Sequence, residues 1–161
     1  MVDYSKTSVK QNNVSVAVLQ FSCTNDVKKN TAKALEMTTK AADKGAKIIC
    51  LPELYRSLYF PQEEVHKNFE LSESIPGPSV DAFAKLAKEK KVVIIVPIFE
   101  KRTQGLHHNS AVVINADGKT LGTYRKMHIP DDPCFYEKFY FAPGDTGFKV
   151  FDTAYGKLSV L

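Results

Sequence analysis

Cysteine is scarce: Cys23, Cys50 and Cys134 are the only three in 161 residues, an odd number at wide spacing. That excludes a disulfide scaffold and fits free thiols in a reducing compartment. Long apolar runs are missing as well. The longest is 92–99, Val-Val-Ile-Ile-Val-Pro-Ile-Phe, far short of the roughly 20 residues a helix needs to cross a bilayer. The chain opens Met-Val-Asp-Tyr-Ser-Lys with no apolar segment behind it, so no secretory signal is read and a cytoplasmic location is expected. Charge of one sign does not accumulate. The 22 basic and 18 acidic residues leave +4, and the densest basic cluster, 88–91, contains Glu89. A solvated helix end accounts for it, so neither a nucleic acid nor a membrane is expected as a partner. No glycine-rich phosphate loop and no zinc-type Cys/His spacing occurs, which disfavours a nucleotide-binding domain and a structural metal site.

What is present is the composition of a folded chain: 43% hydrophobic, 11% aromatic and 25% charged. The length suits one domain or part of one. Residues 1–13 are polar and without period and read as a loose arm. Residues 14–21 are rich in β-branched side chains and predict a buried strand. Asn25 or Asp26 can cap a helix running to about Lys44, with Gly45 placed to end it. A second strand over 47–51 is stopped by Pro52. Strand, helix, strand in that order implies a parallel pair with a right-handed crossover. A loop rich in aromatics and prolines runs over 52–78, followed by a helix over 79–90 and a strand over 92–99. Strands at 109–115 and 120–126 flank Ala-Asp-Gly-Lys, a hairpin signal. A loop over 127–147 and short strands at 148–152 and 157–161 complete the pattern. The sequence stops within an apolar strand, and the expectation is a portion of a longer domain.

Glu53 follows Leu51-Pro52 at the C-terminal end of a buried strand, where ligands of open α/β sheets gather. A carboxylate there can serve as a general base, or simply stand exposed at a strand end. Lys126 ends another strand and can hold an ammonium against a developing oxyanion, or lie on a hairpin edge. Glu137 stands among Tyr136, Phe139, Tyr140 and Phe141; burial would demand a partner such as Lys126, and the alternative is a rim acid paired with Lys138. His107 and His108 are adjacent on a strand, so their side chains point to opposite faces and cannot chelate one ion. His128 reads as a loop support. Of the cysteines, Cys134 is the most exposed candidate thiol, with Cys23 and Cys50 reading as packing residues.

Taken together, the segments 16–20, 48–54 (Ile-Ile-Cys-Leu-Pro-Glu-Leu), 109–114 (Asn-Ser-Ala-Val-Val-Ile) and 124–130 (Tyr-Arg-Lys-Met-His-Ile-Pro) resemble the nitrilase superfamily of carbon–nitrogen hydrolases. The likeness runs from Val14 to Leu161. Stretches 58–64, 75–78, 137–141 and 143–148 are similar to N-carbamoylputrescine amidases within it. The resemblance implies an α/β fold, a nitrilase-like α-β-β-α sandwich present here in truncated form over 14–161, often assembled as homo-oligomers. It implies a Glu-Lys-Cys triad in which Glu53 matches the general base, Lys126 the oxyanion-binding lysine and Glu137 an auxiliary glutamate. The matching cysteine lies beyond residue 161, so this chain alone is expected to be inactive. The implied reaction hydrolyses an amide or ureido C–N bond of a small molecule, carbamoylputrescine above all, without metal or organic cofactor. Tyr59, His128, Asp131 and Asp132 are expected near the substrate, the aspartates to face its ammonium. The alternative is a short, non-catalytic nitrilase-like protein that associates with a full-length homologue.

Overall fold

The computed structural model describes residues 13–161; the arm expected over 1–13 lies, but for Asn13, outside the described residues. The elements run β1 Val16–Val18, α1 Val27–Asp43, β2 Ile48–Cys50, α2 Pro78–Lys90, β3 Val93–Thr103, β4 Leu106–Ile114, β5 Thr120–Arg125, α3 Glu137–Tyr140, β6 Val150–Thr153 and β7 Gly156–Ser159. Two 3-10 turns, Phe60–Gln62 and His66–Leu71, lie between β2 and α2. Strands β1 to β5 form one sheet in sequence order. The first three strands are parallel, and β3–β4 and β4–β5 are antiparallel. Strands β6 and β7 form a separate hairpin.

Local chemistry explains the helix ends. The Asp26 side chain accepts from the Lys29 amide at 3.0 Å, which satisfies a first-turn donor of α1. Gly45, just past α1, takes φ +95°, a conformation that costs a Cβ-bearing residue more. Pro78 opens α2, where its missing N–H is no loss.

The sheet's two-residue period divides the core. Ile94, Val96, Ile98, Val112 and Ile114 pack on α1 and α2 through Ala34, Val80, Phe83 and Ala87. Their neighbours Val93, Ile95, Ala111 and Val113 face the other way and meet Phe151, Leu158 and Val160 of the β6–β7 region. A third, aromatic cluster centres on Leu54, Phe99, Tyr140 and Phe141, with Phe60 stacked on Phe99 at 5.0 Å.

Three expectations change. The first strand is three residues rather than eight, and Val16 and Val18 are 58% and 78% exposed rather than buried. It lies at the sheet edge, and β-branched composition does not distinguish an edge strand from a central one. Strand β3 runs on to Thr103, because Glu100 and Lys101 pair with His108 and His107 across the ladder. The loop over 127–147 contains α3.

Candidate active site

Glu53 stands where β2 has just left the sheet. The Leu51 amide still donates to the Ile95 carbonyl, Pro52 has no amide to continue the ladder, and Leu54, 4% exposed, turns the chain at φ +51°. That left-handed conformation is costly for leucine, and the segment after it is held from several sides. Buried Asn30 of α1 donates through Nδ2 to the Arg56 and Thr24 carbonyls at 2.8 and 2.7 Å. The Tyr55 hydroxyl donates to Ser79 Oγ at 3.2 Å. Arg56 pairs with buried Glu73 at 2.9 Å, whose other oxygen accepts from the Ser79 amide at the start of α2.

Lys126 is fixed through its backbone. Its amide donates to the Asn109 carbonyl at 2.8 Å, and its carbonyl accepts from the Gly144 amide at 2.9 Å. Its Nζ lies 3.1 Å from Glu53 Oε1 and 2.9 Å from Glu137 Oε2. Glu53 Oε1 also accepts from Asn109 Nδ2 at 2.5 Å, while Glu137 Oε1 accepts from the Tyr59 hydroxyl at 2.7 Å. One ammonium thus sits between two carboxylates from a loop and a short helix far apart in sequence. Burial pulls the Lys126 ammonium's pKa down, but hydrogen bonds to Glu137 and Glu53 outweigh it, and the net shift is upward. Burial, then the bond to Glu137, pushes the Tyr59 phenol well above its ordinary value, so it stays a donor.

The two acids differ. Glu137 is 2% exposed with both oxygens engaged, by Lys126 and Tyr59. Glu53 keeps its side chain 53% exposed, and among the described residues its hydrogen bonds fall on Oε1 alone. It opens on a cavity of about 270 Å³ whose walls include Cys50, Ile95, Asn109, Tyr124 and Lys126. Such a space offers a proton acceptor and a cation beside apolar walls, which suits a small neutral polar group.

The other sequence candidates fall elsewhere. His128, Asp131 and Asp132 are exposed and do not line that cavity. Asp131 faces Lys138 at 4.0 Å, and Asp132 accepts from the Phe135 amide in a tight backbone bridge. Tyr59 reaches the cluster through Glu137 rather than from the cavity wall. His107 packs on Phe69, and His108 Nδ1 meets the Ala142 carbonyl at 3.0 Å. No group of three or more potential ligands is placed to hold a metal ion among the described residues. Burial pushes the thiols of Cys23 and Cys50 upward, and Cys134 is exposed. Asn109 is the residue that sequence reasoning did not single out. Its signal was an amide at the start of an otherwise apolar run, on the face that Lys126 shares.

Residues 15–161 match the carbon–nitrogen hydrolase family. The chain is 49% identical over 148 residues to an N-carbamoylputrescine amidase of Solanum lycopersicum, covering 91% of this chain and 49% of that protein. It is 40% identical to a citrullinase of Francisella tularensis, covering 92% of this chain and 52% of that protein. Its fold superposes on the crystal structure of a carbon–nitrogen hydrolase from Helicobacter pylori G27 with TM-score 0.84 and 44% identity, over 89% of this chain and 50% of that one. The chain therefore spans about half the length of the relatives it matches. A sheet that carries Glu53, Lys126 and Glu137 to one point, in a sequence so close to these hydrolases, leaves one assignment: the chain belongs to the carbon–nitrogen hydrolase family, within the nitrilase superfamily.

Proposed function

We propose that Glu53, Lys126 and Glu137 form the acid–base and oxyanion-binding half of a thiol amidohydrolase that cleaves an amide or ureido C–N bond, with N-carbamoylputrescine as substrate. The nucleophilic cysteine comes from chain beyond residue 161, in a polypeptide of its relatives' length. Identity of 49% to an N-carbamoylputrescine amidase supports the substrate. The observation that carries the reading is the asymmetry of the acids. Among the described residues only Glu53 offers an unbonded carboxylate oxygen to the cavity, so it is the base; Glu137, saturated and buried, holds Lys126 in place.

In this reading Glu53 accepts the thiol proton and the thiolate adds to the substrate carbonyl carbon. Negative charge gathers on oxygen, where the Lys126 ammonium meets it. The intermediate collapses, the C–N bond breaks, and Glu53 returns the proton to the departing nitrogen. Water then cleaves the thioester with Glu53 again as base. A carbamoyl substrate yields a carbamate that loses carbon dioxide, so the products are amine, ammonia and carbon dioxide.

In the natural polypeptide that carries these residues, Glu53→Gln and Lys126→Met are each expected to lower ammonia release from carbamoylputrescine by about a hundredfold or more. The 161-residue chain by itself is expected to release none above a Glu53→Gln control, since Cys50, the cysteine that lines the cavity, bonds the Leu51 carbonyl at 3.6 Å and has a raised pKa. Wild-type rates in either variant, or turnover by the short chain, would refute the assignment; a folded but inert natural polypeptide would favour a non-catalytic partner protein.

A further inference from the structure

Arg125 and Lys126 are consecutive, and the strand period sends their side chains to opposite faces of the sheet. Lys126 enters the site; Arg125 enters a second ionic cluster on the far side. There its guanidinium grips Glu100 with two parallel bonds, Nε to Oε2 at 2.7 Å and Nη2 to Oε1 at 2.6 Å. Glu100 is 3% exposed and also accepts from Ser110 Oγ at 2.5 Å. Nη1 of Arg125 reaches Asp145 Oδ1 at 2.9 Å, and Asp145 pairs in turn with Arg102. Asp145 belongs to a segment laid along the end of the sheet. The Ala142 amide donates to the His107 carbonyl, the Gly144 amide to the Lys126 carbonyl, and the Arg125 amide to Thr146 Oγ1. The approach is so close that a Cβ on Gly144 would lie 2.0 Å from the Arg125 carbonyl oxygen. The same segment begins at the end of α3, where the Phe141 amide donates to the Glu137 carbonyl at 2.9 Å.

We propose that Glu100, Arg125 and Asp145 are positioning residues, a clamp that presses the 142–146 segment onto the end of β5 and thereby sets the Lys126 ammonium against Glu53 and Glu137. The inference rests on Lys126 being the oxyanion-binding group. A buried ion pair is a poor device for stability, because apolar residues of equal volume serve as well. What a planar two-bond fork adds is orientation. Here the fork orients the peptide that carries Lys126, and Asp145 ties that peptide to the segment that continues from α3, the helix that carries Glu137. Both donor and acceptor of the Lys126–Glu137 contact are thus referenced to one guanidinium.

The test uses the natural polypeptide and four variants: Glu100→Gln, Arg125→Lys, Asp145→Asn and Gly144→Ala. The last displaces the segment without changing any charge. Each is assayed for melting, for kcat and KM with carbamoylputrescine, and for the pH dependence of Lys126 amine modification read peptide by peptide in a mass spectrometer. The charged groups facing that amine are Glu53 from the loop after β2 and Glu137 from α3, with neutral Asn109 beside it on β4. The expected result is kcat lower by about tenfold or more with KM within about twofold, as for a misplaced catalytic group, and a Lys126 titration moved to lower pH. Gly144→Ala should reproduce both effects. Folded variants whose Lys126 titrates as in the wild type overturn the clamp, whatever their rates. If the wild type releases no ammonia, the functional reading fails, while the Lys126 titration still decides the clamp. If Glu100→Gln does not fold, Asp145→Asn and Gly144→Ala decide it.

Discussion

At the scale of single residues, the site rests on neutral donors placed beside charged groups. Asn109 gives Glu53 a hydrogen bond at 2.5 Å, and Tyr59 gives Glu137 one at 2.7 Å. Neither acid would keep its orientation with Lys126 alone, since one ammonium between two carboxylates can drift toward either. Asn109→Ala is expected to lower ammonia release by about tenfold through loss of aim, with a nearly unchanged melt; an unaltered rate would remove Asn109 from the site. Tyr59→Phe leaves the buried Glu137 carboxylate one donor short, a loss of about 1–3 kcal/mol for a charged acceptor, to be read as a lower urea midpoint. An unshifted midpoint would show that water replaces the phenol. Glu53, Lys126 and Glu137 were named from sequence through the family resemblance, each beside a bland surface alternative, and the structure brings the three side chains together. Asn109 was not named, because an asparagine before an apolar run reads the same whether it ends a strand or donates to a distant carboxylate such as Glu53. Asp131 and Asp132 were named for their charge and their place in a loop, and the structure leaves both exposed and off the cavity wall; charge does not say which way a loop aspartate turns.

At the scale of elements, the decisive piece is an irregular one. The 142–146 segment has no regular secondary structure, yet it bonds β4, β5 and the Arg125 side chain. Hydrogen bonds from Arg102, then Arg125, hold the Asp145 carboxyl at about 2, below its ordinary 3.8. A carboxyl depressed in the folded state adds stability above its unfolded pKa and loses it as pH falls through the folded one. The contribution of Asp145 is therefore constant from neutral pH to about 4 and fades by about 2. Wild type and Asp145→Asn should differ in Tm near pH 6 and converge near pH 2, a small difference because the side chain is half exposed. A gap that persists at low pH would assign it to packing. The regular elements were largely legible: Asp26 caps α1 and Gly45 follows it as read. Element ends were less so, because the charged run after Phe99 looks like a strand terminus until its partner in β4 is known.

At the scale of the whole molecule, the sheet is covered unequally. Helices α1 and α2 bury one face, while the β6–β7 hairpin shields only part of the other. Val16, Val18, Phe148 and Val150 remain 58%, 78%, 70% and 66% exposed, and β1 is a sheet edge. Exposed apolar patches and open edges drive association. The 161-residue chain in isolation is expected to self-associate with rising concentration in sedimentation velocity, and Val18→Lys to reduce it; a concentration-independent monomer would contradict this. The amino-acid sequence by itself determined the order of the strands and of the two long helices and the parallel start of the sheet. These follow from period, caps and short-range motifs, all of which act over a few residues; Glu53, Lys126 and Glu137 were named only through the likeness to a family. Only the tertiary structure decided that Glu53 is the open acid and Glu137 the saturated one, that Asn109 joins them, and that Arg125 braces Lys126 from behind. Those outcomes depend on which side chains meet across 11 to 78 positions of chain, and no local pattern encodes a distance of that kind.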